Sequence, residues 1–210
     1  MKFLSIELEN IFAYDKHHVV SLGDTSKGRN LVLIWGRNGY GKTSFINAVK
    51  LLFTGTGEGR FRRVGFPVKE LSFHDYVLGQ TNHWLGVINR AARQRDLDAV
   101  VARVGARIEH DGREILVERR WSIQSGAPQE ELEVNDGGRL LKEAADERLE
   151  TLLPKEFAEF FFFDGEDIKA MAENIETKQV NFDQLLRLTY LSEAATELEK
   201  LATNRAKQGL

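Results

Sequence analysis

GRNGYGKT, residues 36–43, fits GxxxxGK[ST] in full, and its surroundings give the match its meaning. NLVLIWG (30–36) before it is a nearly continuous, β-rich apolar run of the kind found in a strand covered on both faces. FINAVKLLF (45–53) after it places apolar residues at 45, 46, 49, 52 and 53, the spacing of one helix face. Strand, glycine loop and helix in that order predict a phosphate-binding loop in an α/β P-loop fold. Gly36, Gly39 and Gly41 let the backbone wrap closely around a polyphosphate. With Arg37, Asn38 and Tyr40 they make a turn whose amide hydrogens, added to the positive end of the helix dipole, face anionic oxygens. Lys42 is the point charge for β and γ phosphates, Thr43 offers a hydroxyl to magnesium, and Ser44 reaches the α phosphate.

The rest of the chain predicts what surrounds that loop. KFLSIELENI (2–11) alternates apolar and polar residues like a half-buried strand, and HHVVSL (17–22) continues the pattern after a polar break. NHWLGVINRAARQ (82–94) reads as a short basic helix. AVVARVGARIEH, REILVERRWSI and EELEVN, joined at HDG (110–112) and SGAPQ (125–129), read as an antiparallel meander added to a mixed sheet. LLKEAADERLETLL (140–153) is helical and stops before Pro154. Residues 182–208 carry apolar positions 185, 188, 191, 194/195, 198 and 201, one stripe along one long helix. That stripe suits a packed surface helix as well as the start of a coiled coil.

Composition narrows the class. With 210 residues, 42% hydrophobic and 29% charged, the chain suits a globular domain with a substantial core. It holds no cysteine, so disulfides and cysteine-ligated zinc are excluded, and its five scattered histidines offer no metal-ligand spacing. No stretch reaches the roughly 18 to 20 apolar residues of a membrane span, and MKFLSIELEN meets charge too early for a secretory signal. A cytoplasmic protein without membrane contact is the expectation. The net charge of −3 divides unevenly: residues 1–125 carry 19 Lys and Arg against 13 Asp and Glu, and the remainder 10 against 19. The basic half could face a polyanion, with Arg60, Arg62, Arg63, Arg90, Arg93 and Arg95 as the surface for DNA or as ordinary solvated charge. Tyr14, after the first strand, either packs or stacks on an adenine.

EFFFFDGED, residues 159–167, poses a separate question. An apolar run ending in Asp164 could be the metal-holding strand of a P-loop site. Gly165 stands between Asp164 and Glu166, however, and bends the chain away from the adjacent-carboxylate geometry of such a strand. No LSGGQ-like signature occurs; LSEAA at 191 is a superficial echo. The block therefore reads as a different element.

GRNGYGKTSFINAVKLLFTG, preceded by IELENIFAYDKHHVVSL, resembles the amino-terminal lobe of the SMC-like ABC ATPases of DNA repair and chromosome structure. Together with WLGVINRAARQ, the meander and FFFFDGEDI, it resembles more narrowly the DndD family, ATPases of DNA phosphorothioate (sulfur) modification. The resemblance covers nearly the whole chain. It implies ATP and Mg2+ as ligands, and a lobe over residues 1–176 followed over 177–210 by a truncated coiled coil. It makes the phenylalanine run a buried strand feeding the nucleotide-sensing Q-loop, with Asp164 in the place of the usual glutamine as a catalytic and possible metal residue. It also implies partners: DNA, a second protomer, a carboxyl-terminal lobe, and other sulfur-modification proteins. The signature motif, the Asp-Glu metal strand and the switch histidine of such heads are not found in these residues, so the resemblance predicts a fragment, or half of a split head, that is inactive by itself. Sulfur incorporation needs chemistry that a cysteine-free chain does not show.

Two other classes remain open: a non-catalytic nucleotide-binding module that docks partners through its acidic carboxyl-terminal helix, and a small-molecule kinase built on the same loop. The meander and long terminal helix suit a kinase poorly.

Overall fold

The computed structural model describes residues 1–22, 31–56, 71–80, 84–155, 158, 161 and 162. Period-two alternation sets its framework. β1 (Lys2–Ile11) and β2 (Tyr14–Ser21) form a hairpin, followed by α1 (Lys42–Thr54), α2 (Phe73–Leu78) and α3 (Arg90–Arg95). Then come β3 (Val101–His110), β4 (Arg113–Gln124), β5 (Ala127–Asn135), β6 (Arg139–Leu141) and α4 (Glu143–Leu152). The strands make one sheet in the order β2-β1-β3-β4-β5-β6, every adjacent pair antiparallel. The predicted meander is there. Both of its turns are two-residue loops at positive φ, Asp111-Gly112 and Ser125-Gly126, the backbone that matches the twist of a hairpin.

The two faces of this sheet differ. Ile6 stands opposite Ala106, which stands opposite Val117 and then Val134; these side chains, with those of α1 and α4, form the core. The neighbouring phase is charged. Glu9, Arg103, Arg120 and Glu131 make one rung, and Glu7, Gly105, Glu118 and Glu133 the next. Arg103 directly opposite Arg120 is a repulsive pair by itself. Each arginine is compensated: Arg103 reaches Glu9 directly opposite at 3.1 Å and Glu118 diagonally at 2.8 Å, and Arg120 reaches Glu133 diagonally at 2.8 Å. Glu133 also pairs with Arg139, whose hydrogen bond holds its carboxyl below the usual range.

Three expectations need correction. The sheet among the described residues is wholly antiparallel, not mixed, because the strand predicted over residues 30–36 has no ladder: residues 31–37 join no strand. Leu31, Leu33 and Trp35 are 87%, 86% and 88% exposed, while Val32 and Ile34 are 47% and 41%. Such a run becomes a buried strand only when neighbours flank it, and none of the described strands does. Second, the basic helix is confined to α3; Trp84 instead bridges Gln80, and Ile88 bridges Ile11. Third, the phenylalanine run is not a strand where it is described. Lys155, Ala158 and Phe161 have helical backbone, and the Phe162 amide donates to the Ala158 carbonyl at 2.9 Å, the i to i−4 bond of an α-helix. Phe162 stacks on Phe53 of α1 at 5.5 Å and meets Phe3 of β1 edge-on at 6.0 Å.

The chain divides into two compact units, Met1–Asp164 and Gly165–Leu210, and the second lies outside the described residues. The coiled-coil expectation over 177–210 falls there. Among the described residues no helix is long and apolar enough to cross a membrane.

The far end of α1 is fixed from the sheet. Arg119, 5% exposed in the apolar phase of β4, donates from Nε to the Leu52 carbonyl at 3.0 Å and from Nη1 to Glu130 at 2.5 Å. Glu130 in turn accepts the Thr56 amide. Gly55 closes the helix at φ 64 and ψ −173, a backbone essentially reserved for glycine. A Cβ there would lie 2.8 Å from both Arg119 Nη1 and Glu130 Oε1. Gly55→Ala should therefore cost about 1–3 kcal/mol of stability from backbone strain alone, seen as a lower urea midpoint at unchanged slope. An unchanged midpoint would mean that the end of α1 is placed differently.

Candidate functional site

Residues 36–44 leave the exposed apolar run and turn into α1. Gly39 and Gly41 have φ of 83 and 91, values that side chains rarely adopt, so the loop's curvature depends on these two glycines. Gly41 is the N-cap of α1; no side chain caps the helix and no acidic residue sits in its first turn. The amide hydrogens that a Ser or Asp cap would satisfy in an ordinary helix are left for an external acceptor. Lys42 folds back over the loop, and its Nζ donates to the Gly36 carbonyl at 2.6 Å and the Arg37 carbonyl at 2.9 Å. Those carbonyls are neutral acceptors that a phosphate oxygen can replace with a charge-assisted bond.

The remaining predicted loop residues surround this arrangement. Arg37, Asn38, Tyr40 and Thr43 are exposed, and Ser44 is half-buried. Tyr40, 74% exposed, turns its ring to solvent. Positive-φ glycines, an uncapped helix start and an ammonium resting on loop carbonyls fit a nucleotide polyphosphate, and the Thr43 hydroxyl, at the same helix start, fits magnesium. A nucleotide bound there would supply the phosphoryl group, with the loop amides and Lys42 as the groups that would hold it and Thr43 as the residue that would hold the metal.

Asp164 lies outside the described residues, as do Arg60, Arg62 and Arg63. Of the other arginines, Arg90 is exposed, but Arg93 Nη2 donates to the Leu85 carbonyl at 2.7 Å and Arg95 grips Asp15 through two bonds of 2.9 and 2.6 Å. That pairing holds the Asp15 carboxyl below its usual range. Tyr14 packs: its hydroxyl donates to the Gly41 carbonyl at 3.2 Å, and its ring meets His18 edge-on at 5.5 Å.

Two supports went unpredicted, though the sequence carries a signal for each. Asn89 is buried; its Oδ1 caps α3 through the Ala91 and Ala92 amides while its Nδ2 donates to the Phe12 carbonyl at 2.8 Å. An asparagine just before RAARQR is a helix-start signal. Arg119 and Glu130 stand in the apolar phase of their strands, where a charge needs a partner.

No curated protein matches the chain. The AAA_23 family model, described as an AAA domain, matches residues 5–208. Nearly the whole sequence is included, phosphate loop and antiparallel sheet alike, and the chain therefore belongs to the AAA_23 family of AAA domains, a P-loop ATPase family that uses nucleotide and usually Mg2+.

Proposed function

We propose that this chain is the amino-terminal lobe of an SMC-like ATPase head that acts on DNA, in phosphorothioate modification or a related pathway, in the cytoplasm. The observation that carries the reading is a phosphate loop already curved and uncapped, entered from an apolar run that no described strand covers. A complete mononucleotide domain flanks that run with its own strands. A lobe of a split head leaves it for residues supplied elsewhere. The narrower assignment is supported by the combination of GRNGYGKT, WLGVINRAARQ and FFFFDGEDI.

On this reading ATP is held between the Lys42 loop of one protomer and a signature motif of another. Hydrolysis then reports pairing and DNA state rather than converting a small substrate. Asp164 acts as the coupling residue between lobes, and residues 177–210 begin the coil that connects them. The Phe3, Phe53 and Phe162 contacts support a mechanical link, since they tie the far end of the phosphate-loop helix to the residue two before Asp164.

The test is ATP turnover by the full-length protein with and without duplex DNA, together with charge reversal at Arg60, Arg62 and Arg90. These three leave the Arg95–Asp15 pair intact. The expected result is turnover that DNA stimulates, and a DNA affinity whose dependence on log salt flattens by up to about three units in the variant, near one for each phosphate no longer neutralised. Turnover indifferent to DNA and an unchanged salt slope would favour the non-catalytic module or the kinase.

A further inference from the structure

The β1–β2 turn is built into the back of the phosphate loop. A Cβ placed on Gly41 would meet the Ala13 Cβ and the Tyr14 ring at 3.5 Å, ordinary contact distance, so loop and turn already touch. Gly41 is also where the loop becomes helix, and its carbonyl accepts the Phe45 amide at 2.8 Å, the first bond of α1. The Tyr14 hydroxyl donates to that same carbonyl.

We infer that Tyr14 is a positioning residue of the nucleotide site, holding the Gly41 carbonyl so that the loop amides keep facing the phosphates, and that it does not read the base. The inference rests on the phosphate-loop reading above. A positioning group must itself be held, and Tyr14 is held from several sides. Phe12, at φ 49, is fixed in the turn by its amide bond to the Val87 carbonyl at 2.8 Å and by Asn89 Nδ2 on its carbonyl. The Asn89 amide also donates to the Asn10 carbonyl at 2.7 Å, so the end of β1 and the turn are both tied to the start of α3. Asp15, the next residue, is gripped by Arg95. His18 buttresses the ring. Burial raises the phenol above its ordinary value.

A base-stacking tyrosine and a loop-positioning tyrosine differ in which ligands notice the hydroxyl. Phenylalanine keeps the ring and its packing and removes the single bond to Gly41. The experiment is binding of Mg·ATP, Mg·GTP and inorganic tripolyphosphate to the full-length wild type, Tyr14→Phe and Lys42→Ala, with the ligand-free thermal midpoint of each. We expect Tyr14→Phe to weaken all three ligands alike, by about 3- to 10-fold, the range of one net hydrogen bond, with the protein still folded and its ligand-free midpoint lowered by no more than one such bond is worth. A loss confined to the nucleotides, with tripolyphosphate unaffected, overturns the inference in favour of base reading. Wild-type affinity of Tyr14→Phe for all three overturns it as well, and if Lys42→Ala is weakened in the same series, the phosphate loop itself stands. Failure of the wild type to bind any of the three overturns both.

Discussion

Lys42→Ala is expected to weaken ATP binding by about 10- to 100-fold, the loss that goes with one charged hydrogen-bonding group. The ammonium is half-buried at the start of α1 and spends its hydrogen bonds on the Gly36 and Arg37 carbonyls. Removing it leaves both carbonyls at a solvent-facing loop, where water replaces the lost donor. Stability should therefore change little, because Phe45, Ala48 and Val49, which anchor the helix in the core, are untouched. The separation of the two effects is the content of the prediction. A calorimetric titration that finds wild-type ATP affinity in a folded Lys42→Ala protein would remove GRNGYGKT as a phosphate site. A variant that merely unfolds would instead point to Lys42 as a structural strut of the loop.

What the sequence made legible was whatever depends on near neighbours. β1, β2 and the three meander strands follow from alternation, and the meander's hairpins from HDG and SGAPQ, because register and face are set within a few residues of each turn. Of SGAPQ only Ser125-Gly126 is turn, and residues 127–129 already belong to β5. The phosphate loop was legible for the same reason: curvature there is made by glycines at fixed offsets. Residues 30–36 were misread because a continuous apolar run says that the segment is destined for burial, and leaves open what buries it. The strand that the resemblance implies for the phenylalanine run fails at Phe161 and Phe162, and four identical apolar residues have no period that could have told strand from helix. The structure resolves that ambiguity at Phe161 and Phe162, where the helical bond to Ala158 and the stack on Phe53 act together.

The supports of the site belong to neither group. Arg119, Glu130 and Asn89 could be flagged from the pattern, but their partners lie 67, 74 and 77 residues away, at Leu52, Thr56 and Phe12. Only tertiary structure pairs them. Arg119 shows why such a charge is kept in an apolar phase. Its guanidinium meets the carbonyl end of α1, where the helix dipole is negative, and the Glu130 carboxylate beside it. One buried pair thereby fixes the far end of α1, as Tyr14 fixes the near end, and the phosphate loop is carried on a helix held at both ends.

The 210-residue chain by itself should turn over ATP hardly at all and should self-associate, and a single surface accounts for the second property. Leu31, Leu33 and Trp35 face water almost completely, while Val32 and Ile34 are half covered. The alternation is that of an extended segment with one side partly covered and the other bare. Burying a large apolar side chain is worth about 1.5–3 kcal/mol, so three bare ones on a backbone that joins no described strand make a strong template for pairing. At high concentration another copy of the chain can occupy it. On the split-head reading proposed above, the completing lobe should displace that copy, and it would also bring the metal carboxylate and the signature motif on which positioning for phosphoryl transfer depends. Adding that lobe in trans should therefore restore turnover, reduce self-association, and shift Trp35 fluorescence to the blue as its ring leaves water. Leu33→Ser with Trp35→Ser separates the causes. The double variant should stay monomeric alone and keep its affinity for tripolyphosphate, since Lys42 and the loop glycines are intact, yet fail to regain turnover with the added lobe. If the wild-type chain instead runs as a monomer and hydrolyses ATP briskly without help, the bare segment is not a pairing surface. The missing catalytic groups would then have to lie within these 210 residues, with Asp164 and Glu166 the first to replace.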